Sequence, residues 1–232
     1  NIYYSSGNAQ VVAVTSGMPG EGKTITASRL AVALAQDNKR TILVDCNMRK
    51  PGVHYIFKIS EIGLSNILVD GYDWCSAVHK CEVENLTVMA AGTTLSNPAE
   101  LLSSDAMKQL LETLRSEFDY IILDTPPVNL LTDSQVLSRL VDGYIMVVCS
   151  GKSEREKTKR ARKLLQCAHC NIIGVVLTGV KDSDTYRYYK ALSKLQKQRI
   201  KNMEKVIHAE YEKGSDEAEH IMIFPSPKAN ES

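Results

Sequence analysis

The chain is 232 residues long and carries 28 Lys and Arg against 27 Asp and Glu, a net charge of +1. This length suffices for one α/β domain with a sizeable core. The near-zero charge gives no global field that would favour nucleic acid as a partner. No apolar run approaches the roughly 20 residues of a membrane span, and no secretory signal is visible. The chain begins at Asn1 rather than Met, so we expect a piece of a longer protein.

Apolar, β-branched runs alternate with segments of helical periodicity along most of the chain. The predicted strands are Val11–Val14, Thr41–Asp45, Leu86–Ala90, Tyr120–Asp124, Tyr144–Val148 and Ile172–Leu177. The predicted helices are Gly22–Gln36, Asp105–Ser116, Asp133–Leu140 with Asp133 as its N-cap, and Glu154–Cys167. Continuously apolar strands separated by helices are typical of a parallel sheet. We therefore predict an α/β fold: a mostly parallel central sheet with helices on both faces.

The segment from Ser16 to Thr24 carries the strongest functional signal. It fits the phosphate-binding pattern G-x-x-x-x-G-K-[ST] between a predicted strand and a predicted helix, which is the context that the pattern requires. The loop N–H groups and the N-terminus of the helix suit an anion, the lysine reaches the β- and γ-phosphates, and the threonine ligates Mg²⁺. We predict a P-loop NTPase fold that binds nucleotide through Gly17, Met18, Pro19, Gly20, Glu21, Gly22, Lys23 and Thr24.

Two carboxylates, Asp45 and Asp124, each end a predicted apolar strand. Because the C-terminal ends of parallel strands share one edge of the sheet, we expect both carboxylates near the phosphate loop. An Asp in this position is the Walker B arrangement, which orients Mg²⁺ directly or through water. For either residue taken alone, a turn or helix-capping role is the alternative.

The six cysteines form no recognisable metal or disulfide framework. Cys167 and Cys170 make a lone C-x-x-C, whereas a zinc site needs a second ligand pair at suitable spacing, and none is evident. The spacing favours reduced thiols of a cytosolic protein, with a redox C-x-x-C as the alternative.

The residues that follow Asp45 and Asp124 resemble motifs of the bacterial tyrosine kinase family of the CpsD/CapB type, which accompanies capsule and exopolysaccharide synthesis. Its Walker A motif is similar to Ser16–Thr24, its Walker A′ motif to Asp45–Pro51, and its Walker B motif to Tyr120–Pro127. Four further segments also look like family segments: Gly63–Leu68, Asn97–Leu102, Leu140–Gly143 and Gly174–Leu177. The resemblance runs from about residue 1 to about residue 180, which we take as the kinase domain.

The resemblance implies an ATP- and Mg²⁺-dependent kinase that phosphorylates tyrosines in its own C-terminal tail and in neighbouring subunits. It implies a cytoplasmic domain at the inner face of the cell membrane, activated by a membrane-embedded polysaccharide co-polymerase. It also implies reversible assembly into a ring. The near-zero net charge is the reason that we expect no nucleic acid partner. By the family pattern, Lys23 contacts the phosphates, Thr24 and Asp124 serve Mg²⁺, and Asp45 accepts the tyrosine proton.

Three features depart from the family pattern. The second Walker A′ acid is Asn47 here, which can coordinate or hydrogen-bond but carries no charge, so we expect a reduced Mg²⁺ affinity or rate. The family's helix with a Glu/Arg oligomerisation motif would precede Asn1. The family tail ends in a dense tyrosine cluster, whereas here Tyr186, Tyr188 and Tyr189 lie at the end of the match and the chain continues to Ser232.

Residues 181–232 are predicted to form a C-terminal extension with a basic segment, Arg187–Lys205, and a mobile end. Two interpretations of the basic segment remain open. It is either an amphipathic helix for anionic lipid or an acidic partner, or a solvated helix packed on its own domain, which we favour.

Two other functions compete with a kinase. A Min- or partition-type ATPase shares the fold but places a lysine directly after the first loop glycine, where this chain has Met18. A nucleotide-binding scaffold with weakened catalysis gains some support from Asn47.

Overall fold

The computed structural model describes residues 10–95 and 97–180. Within these residues, seven strands form one sheet in the order β3-β4-β2-β5-β1-β6-β7, and every pairing is parallel except the antiparallel pair β3–β4. The strands are β1 (Gln10–Ser16), β2 (Thr41–Asp45), β3 (Val78–Lys80), β4 (Leu86–Met89), β5 (Tyr120–Asp124), β6 (Gly143–Cys149) and β7 (Ile172–Thr178).

Helices connect most of these strands. They are α1 (Lys23–Gln36), α2 (Val53–Phe57), α3 (Leu64–Asp70), α4 (Pro98–Leu102), α5 (Asp105–Glu117), α6 (Asp133–Val136) and α7 (Arg155–Cys167). Two short 3₁₀ segments, Trp74–Ser76 and Leu137–Arg139, complete the described elements.

The central strands of the sheet are buried on both faces, whereas the edge strand β7 exposes Ile173, Val175 and Leu177. Successive residues of β1 point to opposite sides, so Val11 and Ala13 belong to one apolar cluster while Val12 and Val14 belong to the other. Helix α1 covers the second cluster with Ala27, Ala31 and Ala35. Helices α5 and α7 cover the first with Met107, Leu110, Leu111, Leu114, Ala161 and Leu165. This confirms the predicted mostly parallel sheet with helices on both faces.

The strand register brings the ends of the three central strands together. Asp45 at the end of β2 pairs with Asp124 at the end of β5, and Asp124 pairs on its other side with Val14 of β1. The loop that follows β1 therefore leaves the sheet beside both carboxylates.

Most element predictions hold, and the others are corrected or extended. The six predicted strands are present, but the sequence analysis missed β3, a three-residue strand at the sheet edge, and the short helices α2, α3 and α4. The predicted helix Asp133–Leu140 is one α-helical turn followed by a 3₁₀ segment. Asp133 is not its N-cap: Thr132 holds that position without a side-chain bond, and the Asp133 carboxylate pairs with Arg49 instead.

The predicted tyrosine cluster, the basic segment and the end of the chain lie outside the described residues, so the predicted domain boundary near residue 180 stays a prediction. Within the described ranges, no helix is both long and apolar enough to cross a membrane. All six cysteines are free thiols, and Cys170 of the C-x-x-C is buried while Cys167 is exposed.

Candidate functional site

The predicted phosphate loop joins β1 to α1 at the C-terminal edge of the sheet. Gly20 and Gly22 adopt positive φ angles of 74° and 93°, which glycine reaches without the strain that a Cβ would add. Helix α1 begins at Lys23, and its N-cap residue, Gly22, has no side chain that could cap the helix. Because the first N–H groups of a helix lack intrahelical acceptors, this end of α1 suits an anionic phosphate.

The loop is tied to the strand ends on its β6–β7 side. The buried Glu21 carboxylate accepts the Met18 N–H at 2.9 Å and a hydrogen bond from the Ser153 hydroxyl. Thr178 Oγ1 donates to the Glu21 carbonyl at 2.7 Å, and Lys152 Nζ donates to the Gly20 carbonyl at 2.9 Å. The Glu21 side chain therefore contributes to the site by holding the loop.

Asp124 is the electrostatically unusual residue of the site. Its side chain is fully buried, and neither carboxylate oxygen has a hydrogen-bond partner among the described residues. Burial, and then the like charge of Asp45, raises the pKa of Asp124 to about 7, whereas Lys23 and the Thr24 hydroxyl act in the opposite direction. A buried carboxylate in this state is poised to bind a cation.

Unlike Asp124, with which it pairs across the strands, Asp45 accepts hydrogen bonds on both carboxylate oxygens. It is fully buried, and Oδ1 accepts the Asn47 N–H at 3.0 Å. Oδ2 accepts the Gly52 and Val53 N–H groups at 2.9 and 3.0 Å. The carboxylate thereby fixes the path of the loop between β2 and α2, which carries the Walker A′ residues.

A cavity of about 380 Å³ lies between these two loops. It is lined by Pro19, Gly20, Gly22, Lys23, Thr24, Ile25, Asn47, Arg49, Lys50, Pro51, Gly52, Pro127, Leu130 and Leu131. Phosphate-loop residues thus face the Walker A′ residues across a space in the size range of small-molecule sites. The mixture of two lysines, one arginine and apolar walls suits a phosphorylated ligand with an apolar part.

The residues present fit a magnesium nucleotide. The orphaned oxygens of Asp124 and the hydroxyl of Thr24 are oxygen ligands of the kind that Mg²⁺ prefers. The described residues contain no group of three or more His, Cys, Asp or Glu side chains that could hold a metal by themselves. This agrees with Mg²⁺, which is usually held by one or two carboxylates together with phosphate oxygens and water.

The structure brings together Lys23, Thr24, Asp124 and Asp45 as the sequence analysis expected. Gly17 and Met18 lie at the start of the loop, outside the lining of the cavity, and Met18 acts through its backbone N–H. The sequence analysis missed Arg49 and Asp133, which form an ion pair, and the loop contacts of Lys152, Ser153 and Thr178. Arg49 lies in a segment singled out for its acids, and Asp133 was singled out only as a helix cap. No sequence signal marked Lys152, Ser153 or Thr178.

Comparison with known proteins places these features in a family. A family model described as an AAA domain matches residues 9–152. The chain is 38% identical to the tyrosine-protein kinase YwqD of Bacillus subtilis (strain 168), over 82% of each chain. It is 35% identical to the putative tyrosine-protein kinase CapB of Staphylococcus aureus, over 82% of this chain and 86% of that protein.

Solved structures similar to this chain include one from the same family and one that shares only the fold. The crystal structure of the chimerical protein CapA2B2 superposes with a TM-score of 0.73 at 35% identity, covering 76% of this chain and 79% of that one. The septum site-determining protein MinD from Pyrococcus horikoshii, complexed with Mg-ADP, has a TM-score of 0.61 at 20% identity, covering 73% of this chain and 70% of that one. The second likeness shows a shared P-loop NTPase fold alone.

Proposed function

Since the chain belongs to the bacterial tyrosine kinase family, we propose that it transfers the γ-phosphoryl group of ATP to tyrosine at the cavity between the phosphate loop and the Walker A′ loop. The relatives named tyrosine-protein kinases confirm the family resemblance and the tyrosine-kinase activity predicted from the sequence. The observation that carries the site assignment is the buried carboxylate of Asp124, which has no hydrogen-bond partner among the described residues and interacts electrostatically with Lys23 and Thr24.

In this proposal the loop residues 17–24 hold the phosphates. The backbone donors at the start of α1 and the Lys23 ammonium bind phosphate oxygens, while Thr24 and Asp124 are the side chains that would hold Mg²⁺. Magnesium, when bound, neutralises negative charge on the phosphates. The clamp of Glu21 by Ser153 keeps the loop in its binding shape before the ligand arrives, which reduces the ordering cost of binding.

The phenol proton remains assigned to Asp45 as a proposal. The three backbone hydrogen bonds of Asp45 fill three of the roughly four acceptor positions of a carboxylate, which leaves one on Oδ1 for an incoming phenol. Because the Asp45 carboxylate is fully buried, the Walker A′ loop must shift for the acceptor tyrosine to reach it.

The proposed acceptors are Tyr186, Tyr188 and Tyr189, which lie outside the described residues. They form the tyrosine cluster that follows the catalytic motifs in the sequence. Phosphorylation would add a charge of about −1.5 to −2 to each, next to Arg187 and Lys190. Peptide mapping by mass spectrometry after reaction with ATP tests this assignment. Label confined to Tyr211, or to Tyr3 and Tyr4, would contradict it.

We further propose that the kinase acts in capsular or exopolysaccharide synthesis, in the cytoplasm at the inner face of the membrane. There it would self-associate into a ring and be activated by a membrane-embedded polysaccharide co-polymerase. The resemblance to CapB-type kinases supports this context. Addition of the cytoplasmic segment of such an activator should raise the rate of phosphotyrosine formation severalfold. An unchanged rate and an unchanged oligomeric state would count against the partnership.

A single assay separates the kinase from its rivals. The protein is incubated with ATP and Mg²⁺, and phosphotyrosine, free phosphate and bound nucleotide are measured. Phosphotyrosine supports the kinase, free phosphate alone supports a nucleotide-switch ATPase, and binding without turnover supports a scaffold. The scaffold is favoured by one observation: Asn47, which lines the cavity at 4% exposure, supplies no negative charge.

A further inference from the structure

A partly buried ion pair joins the Walker A′ loop to helix α6. The Arg49 Nε donates to Asp133 Oδ2 at 3.2 Å, and the two residues are 84 positions apart in the chain. The partners differ in environment, because the Asp133 side chain is 1% exposed while the Arg49 side chain is 35% exposed and lines the nucleotide cavity. The buried Asp133 carboxylate thus anchors Arg49 at the border of the cavity.

Burial of the Asp133 carboxylate costs folding free energy. Among the described residues, Asp133 Oδ1 is buried without a hydrogen-bond partner, so this carboxylate is only partly satisfied. A buried charge with incomplete partners is weak support for stability. A helix-capping role would explain an Asp at the start of α6, but the carboxylate makes no such bond. The effect of the Asp133 carboxylate is therefore to hold Arg49 in position.

We propose that Arg49 binds the phosphoryl group during its transfer and that Asp133 is the positioning residue that directs Arg49 toward it. The inference rests on the proposed kinase function. The bond from phosphorus to the β–γ bridging oxygen breaks as the bond to the phenol oxygen forms. ADP leaves with the bridging electron pair, and the phenol proton passes to the base assigned above. Arg49 contributes a planar guanidinium opposite Lys23, on the Walker A′ wall of the cavity.

This role complements the neutral Asn47. Negative charge spreads over the oxygens of the transferring phosphoryl group, and fixed cations stabilise it without reorganisation. Arg49 and Lys50 on the Walker A′ loop face Lys23 and the start of α1 across the same cavity. Asn47 lines the same cavity and is uncharged, so it does not offset the positive charge of Arg49.

The test measures binding of a transition-state mimic as well as activity. Four proteins are compared with wild type: Arg49→Ala, Arg49→Lys, Asp133→Asn, and the matched control Arg40→Ala. The control breaks a different ion pair, in which Arg40 Nη2 lies 2.9 Å from Asp119 Oδ1. This pair lies at the opposite end of the strands from the cavity. Calorimetry gives Kd for ADP with Mg²⁺, with and without aluminium fluoride, and steady-state kinetics give kcat and KM for ATP.

We expect Arg49→Ala to lower kcat about 100- to 1,000-fold, as removal of a transition-state donor does. The aluminium fluoride complex should weaken by a similar factor while Kd for ADP changes little. Asp133→Asn should lower kcat about 10- to 100-fold through misplacement of the arginine. Arg49→Lys should recover only part of the loss because it lacks the planar fork. Guanidinium ions added to Arg49→Ala should partly restore the rate.

A double variant keeps the proposal falsifiable if Arg49→Ala folds poorly. Replacing Arg49 with Met and Asp133 with Asn removes both charges, so it should recover thermal stability without recovering kcat or binding of the aluminium fluoride complex. Recovery of activity together with stability would show that the pair is only structural and overturn the proposal. Equal effects on ADP with and without aluminium fluoride would also overturn it. A wild-type protein that forms no phosphotyrosine would instead overturn the proposed function.

Discussion

The two sides of the phosphate loop differ in how completely their polar groups are paired within the protein. On one side, which we name the clamped side, Glu21, Lys152, Ser153 and Thr178 hold the loop through direct hydrogen bonds. On the other, the open side, Lys23, Asn47, Arg49 and Lys50 face the cavity, and both oxygens of Asp124 lack a partner within the described residues.

This difference separates stability from binding. A satisfied buried hydrogen bond to a charged group contributes about 1.5–3 kcal/mol, and a buried polar group left unpaired costs about 1–3 kcal/mol or more. The clamped side therefore keeps the loop in shape without a ligand. The open side carries a cost that a bound magnesium nucleotide would offset.

The largest effect should come from removing the loop cation on the open side. Lys23→Met should abolish turnover and weaken ATP·Mg binding about 10- to 100-fold, because hydrogen bonds to charged groups are worth roughly 1.5–3 kcal/mol. Calorimetric titration with ATP·Mg measures the affinity. Lys108→Met, on the exposed face of α5, is the control and should bind normally. Wild-type affinity and activity in Lys23→Met would refute the phosphate-loop assignment.

The orphaned carboxylate on the open side predicts a pH dependence of Mg²⁺ binding. Its folded pKa of about 7 lies above the ordinary value of 3.8, so the folded metal-free protein holds this proton tightly and loses stability as pH rises between those values. Because Mg²⁺ needs the ionised form, its affinity should rise about tenfold per pH unit up to pH 7 and level off above. Titrations from pH 5.5 to 8.5 measure this slope. If Asp124→Asn keeps the same slope, another group titrates.

On the clamped side, loss of one hydroxyl should lower stability more than chemistry. Ser153→Ala leaves Glu21 Oε1 and the Cys149 N–H without their shared partner, so the free energy of unfolding should fall by about 1–3 kcal/mol. The loss of kcat should be small once ATP is saturating. Denaturant unfolding measures the first effect, with Ser116→Ala on the exposed end of α5 as the matched control. Equal stability of the two variants would mean that the clamp contributes nothing.

The smallest expected effect comes from adding a negative charge on the open side. Asn47→Asp places a charged acceptor at a cavity-lining position and should raise Mg²⁺ affinity or the initial rate a few-fold. Initial rates measured over a range of Mg²⁺ concentrations provide the test. An Asp variant that is no better at any concentration would indicate that the neutral side chain is adapted to this site.

The sequence determined the parts of this protein that depend on local pattern. The glycine and lysine spacing of residues 17–24 requires a particular turn into a helix, and the structure contains it at Gly22 and Lys23. The apolar runs that end at Asp45 and Asp124 specify buried parallel strands, and parallel strands share one C-terminal edge. The meeting of these two carboxylates beside the loop therefore followed from periodicity and topology rules.

Only the tertiary structure decided which long-range partners each charged residue takes. Asp133 was assigned to a helix cap because Asp is common at helix starts, yet it pairs with Arg49 on another loop. Asp45 and Asp124 look alike in sequence, but one accepts three backbone hydrogen bonds and the other accepts none within the described residues. The hydrogen bond from Ser153 to Glu21 likewise joins residues that are 132 positions apart in the chain. Such contacts depend on packing between distant segments, and side-chain type alone does not specify them.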